Sequence, residues 1–187
     1  MINWPYIIED NSLSNEIFQF LKQIPTPEMH NGNPLKISKN KIDLCGNIIS
    51  EVKNNSESAI WFLRTFYDQN FLKYKNCLNK LASRKTEYLD FLEVNLVWTK
   101  KDAAFPIHTD SPNKLLSVVI YIDPENNHGT FLYSDKNGKD MQEVQWKPNR
   151  SLIFSREENT TWHSYRSDGI NTRFTLVCNL RSNKKEI

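Results

Sequence analysis

The sequence predicts an α+β domain in which a helical N-terminal region supports a jelly-roll-like barrel of short strands. Three observations predict it. Apolar residues recur at helical spacing twice before about residue 86. Beyond Glu87 the pattern changes to short runs rich in branched and aromatic residues. Turn-forming residues separate those runs at close intervals. At 187 residues, with 39% hydrophobic and 12% aromatic content, the chain can bury one sizeable core without metals or staples. A single domain over residues 1–187 is therefore expected, with helical support over about 1–86 and the barrel over about 87–182.

In the first helix, Leu13, Ile17, Phe20, Leu21 and Ile24 fall on one face, with Ser12 as N-cap and Pro25 and Pro27 as the stop. The stretch from Thr26 to about Asn55 is rich in Asn, Lys and Pro and reads as loop with short strands. A second helix starts at Ser56 or Ser58 and carries Ile60, Leu63, Phe66, Tyr67, Phe71, Tyr74, Leu78 and Leu81, a stripe suited to packing on a sheet. Strands follow at Tyr88 to Trp98, Leu115 to Ile122, Thr130 to Tyr133, Met141 to Trp146, Ser151 to Phe154, Thr160 to Tyr165 and Arg173 to Leu180. Asp135-Lys136-Asn137-Gly138 is expected at a hairpin tip, where Asn-Gly suits the positive φ of a tight turn. With five glycines in all, each one in the C-terminal half marks a specific turn.

Charge and cysteine usage exclude several classes. Twenty-four basic residues against 22 acidic ones leave a net charge of +2, which gives no electrostatic support for nucleic acid or a membrane surface as partner. The three cysteines, Cys45, Cys77 and Cys178, are widely spaced and form no CxxC pair, as expected of reduced thiols in a cytoplasmic protein. No export signal is expected from Met1-Ile2-Asn3-Trp4-Pro5, and no apolar run is long enough to cross a bilayer. The oligomeric state is left open.

The chemistry-bearing set is His108, Asp110 and His163, followed by Arg173. Side chains two apart in an extended segment point the same way. His108 and Asp110 can thus converge on one ion from a single strand end, with His163 arriving from a neighbouring strand. Two His and one carboxylate are the ligand list of a non-haem Fe(II) site with open positions on one face. His163 read alone would be a half-buried His bonded to a backbone carbonyl. His30 and His128 lack a spaced carboxylate and read as surface or turn residues. On the last strand Arg173, Thr175 and Val177 share one face and Phe174, Leu176 and Cys178 the other. An interior Arg173 needs an anionic partner. A carboxylate gripped by its planar fork supplies one, and Thr175 can add a hydroxyl bond to the same group. Arg166, just before the turn Ser167-Asp168-Gly169, reads as solvated.

The segment from about Glu93 to Leu180 resembles the double-stranded β-helix core of the Fe(II)/2-oxoglutarate-dependent dioxygenases, and within them the prolyl-4-hydroxylase-like branch. The likeness rests on Phe105-Pro106-Ile107-His108-Thr109-Asp110, Ser117 to Ile122, Gly129 to Tyr133, Pro148 to Phe154, and Trp162-His163 through Arg173-Phe174-Thr175. Tyr6-Ile7-Ile8-Glu9-Asp10 also resembles the usual start of such domains. The resemblance implies catalysis at His108, Asp110 and His163, which hold Fe(II). It also implies 2-oxoglutarate bound to the metal with its distal carboxylate on Arg173, and O₂ consumed to yield succinate, CO₂ and an oxidised substrate. Tyr121 matches a position where those enzymes use a Tyr hydroxyl on the co-substrate; the alternative is a core Tyr. Trp98 stands where relatives often carry a pocket Tyr, and His128-Gly129-Thr130 departs from their Gly-Gly-x-Thr.

The expected substrate is a peptidyl side chain or a small amino-acid-like metabolite. It would be met at a rim of Trp98, the mobile Thr99 to Phe105 segment with Lys100 and Lys101, and the Pro124 to His128 turn. Two readings of other classes remain. One is a cupin-like metal-binding or sugar-binding barrel without oxygenase activity, for which Arg173 would have no use. The other is an inactive structural module, against which the intact triad weighs.

Overall fold

A computed structural model describes residues 1–25, 39–49 and 56–184. Its strands are β1 (Tyr6–Glu9), β2 (Asn40–Asp43), β3 (Phe91–Thr99), β4 (Ala104–His108), β5 (Lys114–Asp123), β6 (Thr130–Tyr133), β7 (Gln142–Val144), β8 (Ser151–Phe154), β9 (Trp162–Arg166) and β10 (Arg173–Arg181). Among the described residues two helices, α1 (Asn15–Lys22) and α2 (Glu57–Ala82), precede β3, and a 3₁₀ turn at Ser83–Tyr88 leads from α2 into it. His30 and most of the Thr26 to Asn55 stretch lie outside the described residues. Of that stretch, residues 39–49 form β2 and a turn that Asp43 closes by accepting from the amides of Cys45 and Asn47.

Both helix starts follow capping chemistry. Ser14, not Ser12, caps α1, its Oγ accepting from the amide of Ile17 at 3.4 Å. Ser12 is held away from the helix: its hydroxyl bonds Glu9, its amide bonds the Asn149 carbonyl, and Leu13 N–H donates to Asn149 Oδ1 at 2.8 Å. Of the two candidates for α2, Ser56 is the cap, with Oγ accepting from Ala59 N–H. The buried face of α2 runs through Phe62, Leu63, Phe66, Tyr74 and Leu78. Ile60, expected on that face, is 36% exposed, and Phe62 takes its place.

The strands form two antiparallel sheets that make a jelly roll. One has six strands in the order β1-β8-β5-β10-β3-β2, and the other four in the order β4-β9-β6-β7. The first 86 residues thus add two edge strands as well as helices, β1 against β8 and β2 against β3. Alternation divides the six-stranded sheet cleanly. Val118, Ile120, Leu176, Cys178 and Leu180 join the helices in the larger core. Tyr121, Leu152 and Phe154 face the other way and pack with Leu132, Val144 and Trp4 between the sheets.

Two glycines are required where they stand. Gly138, at φ +87°, turns the β6–β7 hairpin, and Asp135 Oδ1 accepts from the amides of Asn137 and Lys139 beside it. Gly129 answers a different demand: a Cβ there would lie 1.7 Å from the Val144 carbonyl oxygen. Its role is close approach of two backbones rather than a turn, which the residue type alone did not distinguish.

Candidate active site

β4 and β9 pair so that His108 lies directly across from His163. The two rings stand 4.2 Å apart between centroids. Asp110 follows two residues after His108, just past the strand end, and one ligand atom from each of the three lies within 4.8 Å of the others. Each imidazole is oriented by the backbone two residues before it. His108 Nδ1 is 2.9 Å from the Pro106 carbonyl oxygen, and His163 Nδ1 is 3.0 Å from that of Thr161. A carbonyl can only accept, so each Nδ1 is the donor to it and Nε2 is the nitrogen left to face the site. Burial pushes the His163 imidazole below its usual range, with Asp110 opposing. The ring is therefore neutral, the form that binds metals.

Asp110 is ionised despite being buried. Burial alone would raise its carboxyl group, but the Lys114 ammonium, together with hydrogen bonds from Lys114 and Ser117, outweighs it and holds the pKa at about 2. Lys114 Nζ is 2.6 Å from Oδ1, and Ser117 Oγ donates to Oδ2 at 2.5 Å. Behind them runs a buried polar chain. Asn179 Oδ1 lies 3.2 Å from Ser117 Oγ, Asn179 Nδ2 donates to Glu93 at 3.2 Å, and Arg181 grips both Glu93 oxygens at 2.8 Å. Lys114, Ser117 and Asn179 were not singled out from the sequence. Ser117 and Asn179 carried a faint signal, as polar residues on strand faces that alternation turns toward Tyr121 and Arg173.

The triad opens into a cavity of about 200 Å³ between the sheets. Arg173 forms part of its wall from β10 and is 2% exposed. Its guanidinium lies 4.9 Å from the ring centre of Tyr165, 5.2 Å from Trp146 and 5.6 Å from Tyr121. Nε donates to the His128 carbonyl at 3.3 Å, while Nη2 is buried and has no hydrogen-bond partner among the described residues. Among the described residues no carboxylate pairs with it, and burial drives its pKa down from the usual range. Such a cation asks for an anion in the cavity.

Other expected site residues separate. Thr175 borders the cavity beside Arg173, with its hydroxyl at 3.5 Å from the Val97 carbonyl. Tyr121 is fully buried beneath Arg173, and its hydroxyl accepts from Thr130 N–H at 2.9 Å and donates to Thr130 Oγ1 at 3.1 Å. Trp98 is on the opposite face of β3, stacked on Phe174 at 4.5 Å in the helix-side core, and Val97 lines the cavity instead. Only residues 100–103 form the expected rim segment as a turn; Ala104 and Phe105 already belong to β4. Phe105 does border the site, stacked on Tyr165 at 5.3 Å and edge-on to His108 at 4.5 Å. Arg166 is exposed, over the ring of Phe131. His128, read from sequence as a plain turn residue, pairs with Glu143 at 3.2 Å and holds Arg173 through its carbonyl.

No protein-family model matches the chain, and no curated protein matches it in sequence. Solved structures do match it in fold. A Pseudomonas putida prolyl-4-hydroxylase aligns with TM-score 0.61 at 14% identity, over 97% of this chain and 90% of that one. A Trichoplax adhaerens prolyl hydroxylase, solved with a hypoxia inducible factor peptide fragment, gives 0.60 at 14% identity, over 96% and 84%. A rice dioxygenase for auxin oxidation gives 0.60 at 10% identity, over 97% and 74%. At these identities the likeness establishes the fold, which is the one expected from the sequence.

Proposed function

We propose that this chain is a 2-oxoglutarate-dependent non-haem iron oxygenase. One observation carries the reading: a buried Arg173, with one guanidinium nitrogen unpartnered, shares a small cavity with two imidazoles and a carboxylate. The donor set suits Fe(II), since two neutral imidazoles and one carboxylate leave the remaining positions of the ion open. The unpaired guanidinium suits the distal carboxylate of a dicarboxylic co-substrate whose other end reaches the metal.

With both bound, the centre supplies O₂ activation coupled to decarboxylation of 2-oxoglutarate, giving succinate, CO₂ and an oxidised substrate. The protein's own share is placement and exclusion of water. His108 and His163 present Nε2 because their Nδ1 atoms are engaged. Asp110 presents a carboxylate that its neighbours keep charged. Arg173 fixes the co-substrate's orientation, with Thr175 beside it. Tyr121 acts from beneath, walling the guanidinium with its ring while its hydroxyl serves Thr130.

For the prime substrate we favour a peptidyl side chain, prolyl or similar, with a small amino-acid-like metabolite as the other candidate. The cavity is small enough that the co-substrate fills much of it, which leaves the substrate at the mouth beside Phe105 and Tyr165. We read the chain as one catalytic domain. Its three unpaired thiols suit a reducing, cytoplasmic setting; no helix of the described residues is long and apolar enough to cross a membrane. A plain sugar-binding or metal-binding barrel gives no use to the unpaired Arg173.

The deciding experiment is turnover of 2-oxoglutarate to succinate by the purified chain with Fe(II), ascorbate and O₂, without any prime substrate. Slow succinate release that depends on Fe(II) is expected. A chain that binds Fe(II) yet releases no succinate would overturn the oxygenase reading.

A further inference from the structure

Asp110 has two oxygens, and both are already engaged: Oδ1 by the Lys114 ammonium at 2.6 Å, Oδ2 by the Ser117 hydroxyl at 2.5 Å. Lys114 opens β5, and a backbone bond from its amide to the Ser111 carbonyl at 3.0 Å fixes the turn from which its side chain reaches back. Asp110 is its ion-pair partner among the described residues, and it lies against the same cavity. A divalent ion bound to Asp110 would form a bond of about 2.1 Å. It would then lie within about 5 Å of the ammonium if Lys114 stayed in place. A single carboxylate charge cannot offset both cations, and Arg173 adds a third positive group to the cavity.

We propose that Lys114 is a resident counter-ion that competes with the metal for Asp110. This rests on the metal-centre reading above and adds a role for a residue outside the ligand set. In the metal-free protein Lys114 keeps the buried carboxylate paired and oriented. Metal binding brings a second cation to the same carboxylate and repels the ammonium toward the open cavity, so Lys114 lowers metal affinity while it stabilises the empty site. A residue that merely propped the carboxylate in its ligand position would do the opposite, and its loss would weaken metal binding.

The test is Mn(II) binding by calorimetry, with thermal unfolding in the absence and presence of Mn(II), for wild type, Lys114→Met, Lys114→Gln and Lys114→Arg. Lys114→Met keeps the apolar stem and removes the charge. It should unfold at lower temperature than wild type without metal and bind Mn(II) roughly tenfold more tightly, the repulsion expected even at the dielectric of water. Lys114→Gln, which retains a neutral donor to Asp110, provides the same reading should the Met variant fold poorly, and Lys114→Arg should stay near wild type. Equal or weaker Mn(II) binding by the neutral variants would overturn the proposal. If neither wild type nor variants bind Mn(II), the metal-centre reading falls and this one with it. Wild-type binding without tightening in the variants sinks the role of Lys114 alone.

Discussion

His108 and His163 face each other across one antiparallel pair, and each ring is oriented by the same device: Nδ1–H donated to the carbonyl two residues earlier in sequence. Orientation of both rings is therefore local, and neither depends on a bound ion to adopt its rotamer. His108→Ala and His163→Ala should each lower Mn(II) affinity by at least about 100-fold while circular dichroism and unfolding remain close to wild type. His128→Ala, which removes a ring paired with Glu143 rather than one of the triad, should leave Mn(II) stoichiometry unchanged. Metal analysis of the three variants checks this.

Arg173 makes a prediction of opposite sign for stability and for binding. A buried guanidinium without an anion destabilises the ligand-free protein, so Arg173→Met should raise its melting temperature by about 2–4 °C. The same variant should lose the further stabilisation that 2-oxoglutarate gives with Mn(II) present. Arg173→Lys, a point charge without the fork, should keep part of it. Arg166→Ala should keep all of it. Thermal scans with and without 2-oxoglutarate decide, and stabilisation of Arg173→Met equal to wild type would remove Arg173 from the site.

Gly129→Ala places a methyl group 1.7 Å from the Val144 carbonyl oxygen, in backbone that cannot move without parting β6 from β7. The expected loss is about 3 kcal/mol or more in denaturant unfolding. Gly169→Ala is the contrast. No described residue lies within 4 Å of a Cβ added there, and its φ of +82° is what opposes the change, so about 1 kcal/mol is expected.

Asp10 ties the start of the chain to the β7–β8 turn through Arg150 and Lys147. Hydrogen bonds from Arg150 and Lys147 hold its carboxyl group well below the usual range. A carboxylate with a depressed folded-state pKa contributes stability that is present above the unfolded value of about 3.9 and lost as pH falls below it. Asp10→Asn should cost about 1 kcal/mol or less at pH 7, because the pair is solvent-exposed. The deficit should shrink steadily as unfolding is followed from pH 4 to pH 2 without vanishing there, since the folded carboxyl group protonates only at still lower pH; a constant deficit would exclude Asp10 from the acid response.

The triad was legible because it needs only local information. His108 and Asp110 are two apart at a strand end, and His163 falls in a second β-rich run. The inward face of β10 was legible for the same reason, since one charged residue amid alternating apolar ones sets the phase. Ser117 and Asn179 were not, because they become a pair only through the β5–β10 register, in which they are direct partners across 62 positions of sequence. Trp98 failed similarly: its face depends on β3 pairing with β10 so that it sits opposite Phe174. The cap of α1 failed for a tertiary reason, since Asn149 captures the residues around Ser12 from the far end of the chain.

Among the described residues the helix-side core draws on β2, β3, β5, β8 and β10, with Ile7 of β1 packed against it, and takes none from β4, β6, β7 or β9. The cavity therefore has two walls of unequal backing. Arg173 and Thr175 stand on the thick wall, braced from behind by α1 and α2, whereas both histidines stand on the thin one. Local opening follows the elements with the least buried apolar contact. The histidine wall is then the one that loosens first, and a chain whose hydrophobic centre is still intact can already have parted its two imidazoles. Hydrogen exchange in β4 and β9 would run ahead of exchange in β5 and β10, and a ligand reaching from Arg173 to the triad would act as a strut between the two walls.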